Sequence, residues 1–287
     1  MPSVSSRKPL WLLPNLLSLD APLVAVGWLW VFSKTWRLGY HPWEAYVALG
    51  LAVWGIYVVD RLLDASMGMV SDGALEPRHE FHYKHRVFFG IGVVVAFVAA
   101  LVLVVTKMPM TIFKHLLLGG VMVGGFFGLS LIAGPVRGEV PHMKNIFAGV
   151  TFAFGTAMTA YIYRPEVGIF EMVRSHEFLC FAVLCVLNIS AIDLWEHSSR
   201  SPDVEEKAGD ELSLTLPLGL LGAFSLLFAL RDDQFASRPF FWAILTGAAL
   251  LHVLNRSRNR FSPDALRVLA DVALLIPILV FWASFEM

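Results

Sequence analysis

Two aspartates close a long apolar run in the segment Asp60-Arg61-Leu62-Leu63-Asp64. Spacing of i, i+4 puts both carboxylates on one face of a helix. Like charges that close repel, and a divalent cation compensates them economically. Mg2+ accepts one or two carboxylates, keeps waters, and fills its remaining positions with phosphate oxygens. The pair therefore points to a Mg2+–diphosphate site. Tyr57, three residues earlier on the same face, would line the space beneath it, and Arg61 would be a further contact for the diphosphate. The plain alternative is a helix that ends there, with both acids solvated and Arg61 paired with one of them.

A second acidic stretch runs from Asn188 through Ser190, Asp193, Trp195 and Glu196 to His197. Asp193, Glu196 and His197 stand at i, i+3 and i+4, again on one helical face. The acids that follow, Asp203, Glu205, Glu206 and Asp210, read more simply as solubilising. Between the two acidic stretches lies a basic one with Arg78, His79, His82, Lys84, His85 and Arg86. Its histidine spacing hints at zinc, but the interleaved cations would repel the ion and no cysteine flanks it. These cations suit either a diphosphate leaving group or anionic lipid headgroups.

The elements that must carry these residues are membrane helices. Apolar residues make up 57% of the 287 and charged residues 16%, against about 45–50% and 25% in soluble domains. Mean hydropathy is +0.66. Such a chain cannot cover itself with polar surface, so soluble enzyme, disordered tail and nucleic-acid binder are excluded. No nucleic acid is expected as a partner, and a net charge of −1 names none. Two cysteines exclude a disulfide framework, and Cys180 and Cys185 read as small apolar filler.

Reading between charge clusters predicts nine spans: Ala21–Phe32, Trp43–Val59, Val87–Val105, Ile112–Ala133, Ile146–Tyr163, Phe178–Leu194, Leu214–Leu230, Phe240–Leu254 and Leu266–Phe285. Each approaches the ~20 apolar residues that a bilayer requires. The first is short and is fed by Leu10–Leu19, read as a helix along the membrane surface within an interfacial segment, residues 1–20. A signal peptide competes for that stretch, but no small-x-small cleavage site follows. With the N-terminus inside, 14 of the 22 Lys and Arg residues fall on the inner side, the bias expected of cytoplasmic loops. Loops 65–86 and 195–213 then share the cytoplasmic side. No loop is long enough to fold alone, so residues 1–287 form a single domain.

Taken together, the pattern resembles the intramembrane prenyltransferases of the UbiA superfamily. Asp60 and Asp64 match the two aspartates of that family's NxxxDxxxD motif, with Ile56 at the position of its asparagine. Asn188, Asp193 and Glu196 correspond to a thinned second motif. The run Glu206-Lys207-Ala208-Gly209-Asp210, followed by Thr215-Leu216-Pro217 and Gly219, looks like the family's continuation. Lys144-Asn145 looks like the Lys-Asn after the family's fourth helix. The resemblance implies an all-α, polytopic fold of nine transmembrane helices around a central lipid-open cavity, in a bacterial inner membrane.

It also implies the chemistry, heterolysis of an allylic C–O bond in a prenyl diphosphate. Mg2+ would be held by Asp60 and Asp64, and a second ion by Asp193 and Glu196. Tyr57, Arg61, Arg78, Lys84, Arg86, Lys144, Asn188, Trp195 and Lys207 would bind substrate. Membrane lipids and a lipophilic, aromatic acceptor are the remaining partners. A terpene cyclase would use the same ionisation without an acceptor. A non-catalytic membrane transporter or binding protein ranks behind both, because transporters place ionisable residues near mid-membrane and show inverted repeats.

Overall fold

The structure is a computed structural model that describes residues 10–70, 77–133, 140–164, 166–232 and 237–286. Among these, every regular element is helical. Nine helices are long: α2 (Asp20–Thr35), α3 (Trp43–Val70), α5 (Arg86–Lys107), α6 (Ile112–Ala133), α7 (Val140–Tyr161), α9 (His176–Arg200), α10 (Val204–Arg231), α11 (Arg238–Ser257) and α12 (Pro263–Glu286). Three are short: α1 (Leu13–Leu16), α4 (Pro77–Lys84) and α8 (Ile169–Arg174). Each predicted span falls on one of the long helices.

Six of them are long and apolar enough to cross a bilayer: α3, α5, α6, α9, α10 and α12. A seventh candidate is the pair Leu10–Leu16 and Asp20–Thr35, which is bent by 78°. The chain is thus a multi-pass membrane protein. Helices α7 and α11 fall short because of polar residues at one end, Lys144 and Asn145 in the first, Asn255 and Arg256 in the second. Those residues are spent on contacts between helices, as shown below.

Outward faces carry the membrane signature. Val87, Phe88 and Ile91 of α5 and Leu117 and Val121 of α6 are more than 60% exposed. A soluble protein does not present contiguous apolar faces of this kind to water, whereas acyl chains match them. The interior is aromatic around α2. Trp28 and Phe32 are fully buried; Trp28 lies 4.5 Å from Phe181 and Phe32 lies 5.2 Å from Phe240. The Trp28 indole donates to the Leu274 carbonyl at 2.9 Å, tying α2 to α12.

Helix α3 decides the height of the first acidic pair. At 1.5 Å per residue, Asp60 lies about 26 Å along the helix from Trp43, close to the ~30 Å thickness of a hydrocarbon core. A helix that crosses a bilayer from Trp43 thus carries Asp60, and Asp64 a turn later, toward its far end. Helices α7 and α9 are brought together by a glycine. A methyl group built on Gly149 would stand 2.6 Å from the Val186 backbone, so only a residue without a side chain allows this approach.

Candidate functional site

The two acidic stretches meet at the first turns of α7. Lys144 Nζ lies 3.7 Å from an Asp60 carboxylate oxygen and 3.8 Å from one of Asp64. Its sequence neighbour Asn145 donates from Nδ2 to Asp193 at 3.2 Å. The C-terminal part of α3, the N-terminal part of α7 and the C-terminal part of α9 thus lie at one end of the bundle, with the two acidic stretches on the same side. Lys144 also stands 5.6 Å from the centre of the Phe126 ring.

The repulsion that the sequence assigned to a divalent cation is met here by the Lys144 ammonium. The contact is loose. Both distances exceed hydrogen-bond length, and the three side chains are 23–33% exposed. The Asp60 oxygen that faces Lys144 is itself buried, whereas the Asp64 contact is more open, and ion pairs at accessible positions stabilise by about 0–1 kcal/mol. Among the described residues, no group of three or more His, Cys, Asp or Glu side chains is placed to hold a metal. Two carboxylates suffice for Mg2+ that arrives with a phosphate ligand, and Asp60 with Asp64, both near Lys144 Nζ, would be the residues to hold it.

Asp193 and Glu196 are drawn to different helices. Asp193 faces Asn145 of α7, whereas Glu196 is gripped by Arg267 of α12, at 2.8 Å from Nε and 2.5 Å from Nη2. The Arg267 side chain is only 6% exposed, and removing one partner from such a pair costs about 3–5 kcal/mol. Glu196 also pairs with Arg200 at 3.7 Å. This acid is therefore committed to holding α9 against α12.

Several other candidates also bridge elements. Arg61 is buried; it donates to the Asn15 carbonyl at 2.7 Å and pairs with Asp20 at 4.0 Å. Its guanidinium lies 5.9 Å from the Tyr57 ring centre. The pairing of Arg61 with its neighbouring acids, considered from the sequence, gives way to a partner from the N-terminal segment. Asn188 is buried and donates to the Ala270 carbonyl at 2.7 Å. Trp195 is buried and donates to Asn255 at 2.9 Å, and Asn255 in turn donates to the Glu211 carbonyl and to Thr215.

The basic stretch divides. Lys84 and Arg86 are exposed, and Arg86 folds over the Tyr83 ring at 4.6 Å. Arg78 belongs to α4, and its side chain lies outside the described residues, as do residues 71–76 of the loop 65–86. His82 is fully buried, stacked on Phe89 at 4.4 Å and 3.3 Å from the Ser18 hydroxyl. Lys207 lines a cavity of about 250 Å³ beside Glu196 and Arg267. Cys180 and Cys185 are free and buried, in keeping with the filler reading.

Sequence reasoning passed over Asn15 and Asp20, which anchor Arg61, and Arg258, which clamps the end of α10. The available signal was an acid, Asp20, opening an apolar segment. Acids in that position need a buried partner, but its identity is a tertiary matter. Comparison with family models, with characterised proteins and with solved structures finds no match to this chain.

Proposed function

We propose that this protein is a Mg2+-dependent intramembrane transferase that moves a prenyl group from a prenyl diphosphate to a lipophilic, aromatic acceptor. All nine long helices cross the membrane in this reading, with the N-terminus on the cytoplasmic side and the acidic rim at the cytoplasmic boundary. One observation carries it. Acids from α3 and α9, more than 120 residues apart, come to the adjacent residues Lys144 and Asn145. A helix end that was merely solvated would have no need of this convergence.

Asp60 and Asp64 would hold Mg2+. When bound, the ion neutralises the charge that gathers on the diphosphate as the allylic C–O bond breaks. Lys144 shifts from the two carboxylates to the phosphate oxygens, adding a compact positive charge. Asn145 keeps Asp193 oriented at the rim. The Tyr57 ring, one turn deeper, offers a π face to the allylic cation. Apolar surroundings exclude the water that would quench that cation.

The test is diphosphate release by the purified protein supplied with geranylgeranyl diphosphate and Mg2+. Asp60→Ala and Asp64→Ala should each lower turnover by about 100-fold or more, and unchanged turnover in either would remove the metal site. Chelation of Mg2+ should abolish release. Running the reaction without acceptor separates transfer from cyclisation, since a cyclic product in that arm would assign a terpene cyclase instead.

A further inference from the structure

Beside Glu196, the ends of α9, α10 and α12 and the turn Arg258–Arg260 line the cavity of about 250 Å³. Trp195, Glu196, Lys207, Arg258, Phe261 and Arg267 are among its lining residues. Three cations thus face one carboxylate. Two of them are fixed in advance. Arg258 donates to Glu211 at 3.0 Å, to the Asn255 carbonyl at 3.0 Å and to the Lys207 carbonyl at 3.3 Å. Arg267 is held by Glu196 and by Asp264 at 3.2 Å. Their side chains are 10% and 6% exposed, so neither needs to be ordered by a ligand.

The third cation is different. The Lys207 ammonium makes no ion pair among the described residues, although its carbonyl accepts from Arg258. Arg200, Arg256, Arg258 and Arg267 engage Glu196, Glu211 and Asp264, four cations to three carboxylates, and with Lys207 the cluster holds two more positive charges than negative ones. An ammonium beside two pre-set guanidinium groups is suited to an anion with several oxygens. The cavity is smaller than the ~300–1,000 Å³ of those that hold drug-sized molecules, a size that suits a single phosphate group. Arg200 and Arg256, which pair with Glu196 and Glu211, have side chains 71% and 66% exposed, and exposed cations of this kind favour an anionic membrane surface by about 1 kcal/mol per charge.

We infer that this cavity is a second anion site, which binds a phosphate group through Lys207, Arg258 and Arg267. The phosphate belongs to an anionic lipid headgroup or is free in solution. The site is separate from the Asp60–Asp64 pair, and its occupancy does not depend on the proposed transfer reaction.

Full-length protein is purified in a neutral detergent without Mg2+ and titrated with inorganic phosphate, with binding read by calorimetry and by the rise in unfolding temperature that mass action requires. In parallel, it is placed in phosphatidylcholine nanodiscs with and without phosphatidic acid, and the unfolding temperature is compared. Binding should weaken about tenfold in Lys207→Gln and return in Lys207→Arg, while Asp60→Ala leaves it unchanged. Saturable phosphate binding assigns a soluble anion; a response to phosphatidic acid alone assigns the lipid headgroup. The proposal is overturned if neither ligand binds, or if Lys207→Gln and Arg258→Gln, both folded, bind as the unaltered protein does. Loss of binding in Asp60→Ala would instead place the phosphate at the other site.

Discussion

Carboxylates one helical turn apart repel, and here an ammonium from another helix stands between them. Although the Asp60 oxygen facing Lys144 is buried, the Lys144–Asp64 contact is partly exposed, so its attraction contributes little to stability. The pair Arg61–Asp20 has the opposite character, with side chains 7% and 9% exposed. Arg61→Leu should lower stability by about 3 kcal/mol, since it leaves the buried Asp20 charge with hydrogen bonds from Asn15 and the Ala21 N–H but no cation. Urea unfolding in detergent measures this, and adding Asp20→Asn to the variant should recover part of the loss. Lys144→Ala, by contrast, should change stability by less than about 1 kcal/mol while slowing diphosphate release.

Helices bring these residues into range. Gly149 lets α7 approach α9, and Asn145, one turn away, then reaches Asp193. Gly149→Leu should force the helices apart, costing about 1–3 kcal/mol and lowering diphosphate release together with the unfolding temperature. At the other end of the bundle, His41 lies between the rings of Tyr46 and Tyr163, at 4.8 and 4.9 Å. Burial holds its pKa below the ordinary 6.5, against a weaker raising effect from the Thr159 carbonyl. The unfolded chain therefore binds a proton that the folded one refuses. Stability from this group is complete above pH 6.5 and falls as the pH drops below it, by at most about 1.4 kcal/mol per pH unit. His41→Asn should flatten the profile of unfolding temperature between pH 7 and pH 5.

For the whole molecule, the testable quantity is topology. The contacts of α7 with both α3 and α9 require the loops after those two helices to leave on one side. Reporters fused after residue 75, which lies outside the described residues, and after Pro202 should both report the cytoplasm. An opposite location of the two would contradict the helix-end contacts, and a joint outside location would invert the orientation.

Membrane character, all-helical class and the approximate position of each long helix were legible in the sequence, because hydropathy and its interruption by charge are properties of the chain read in one dimension. So was the shared face of Asp60 and Asp64, which follows from helical period. What only the tertiary structure decided is which charge meets which. Arg61 goes to Asp20 although Asp60 adjoins it, Glu196 goes to an arginine 71 residues away, and Lys144 reaches both acids of α3. These pairings depend on where helices cross and how each is rotated about its axis. That is set by side-chain packing such as Gly149 against Val186, and spacing along a single helix carries no record of it.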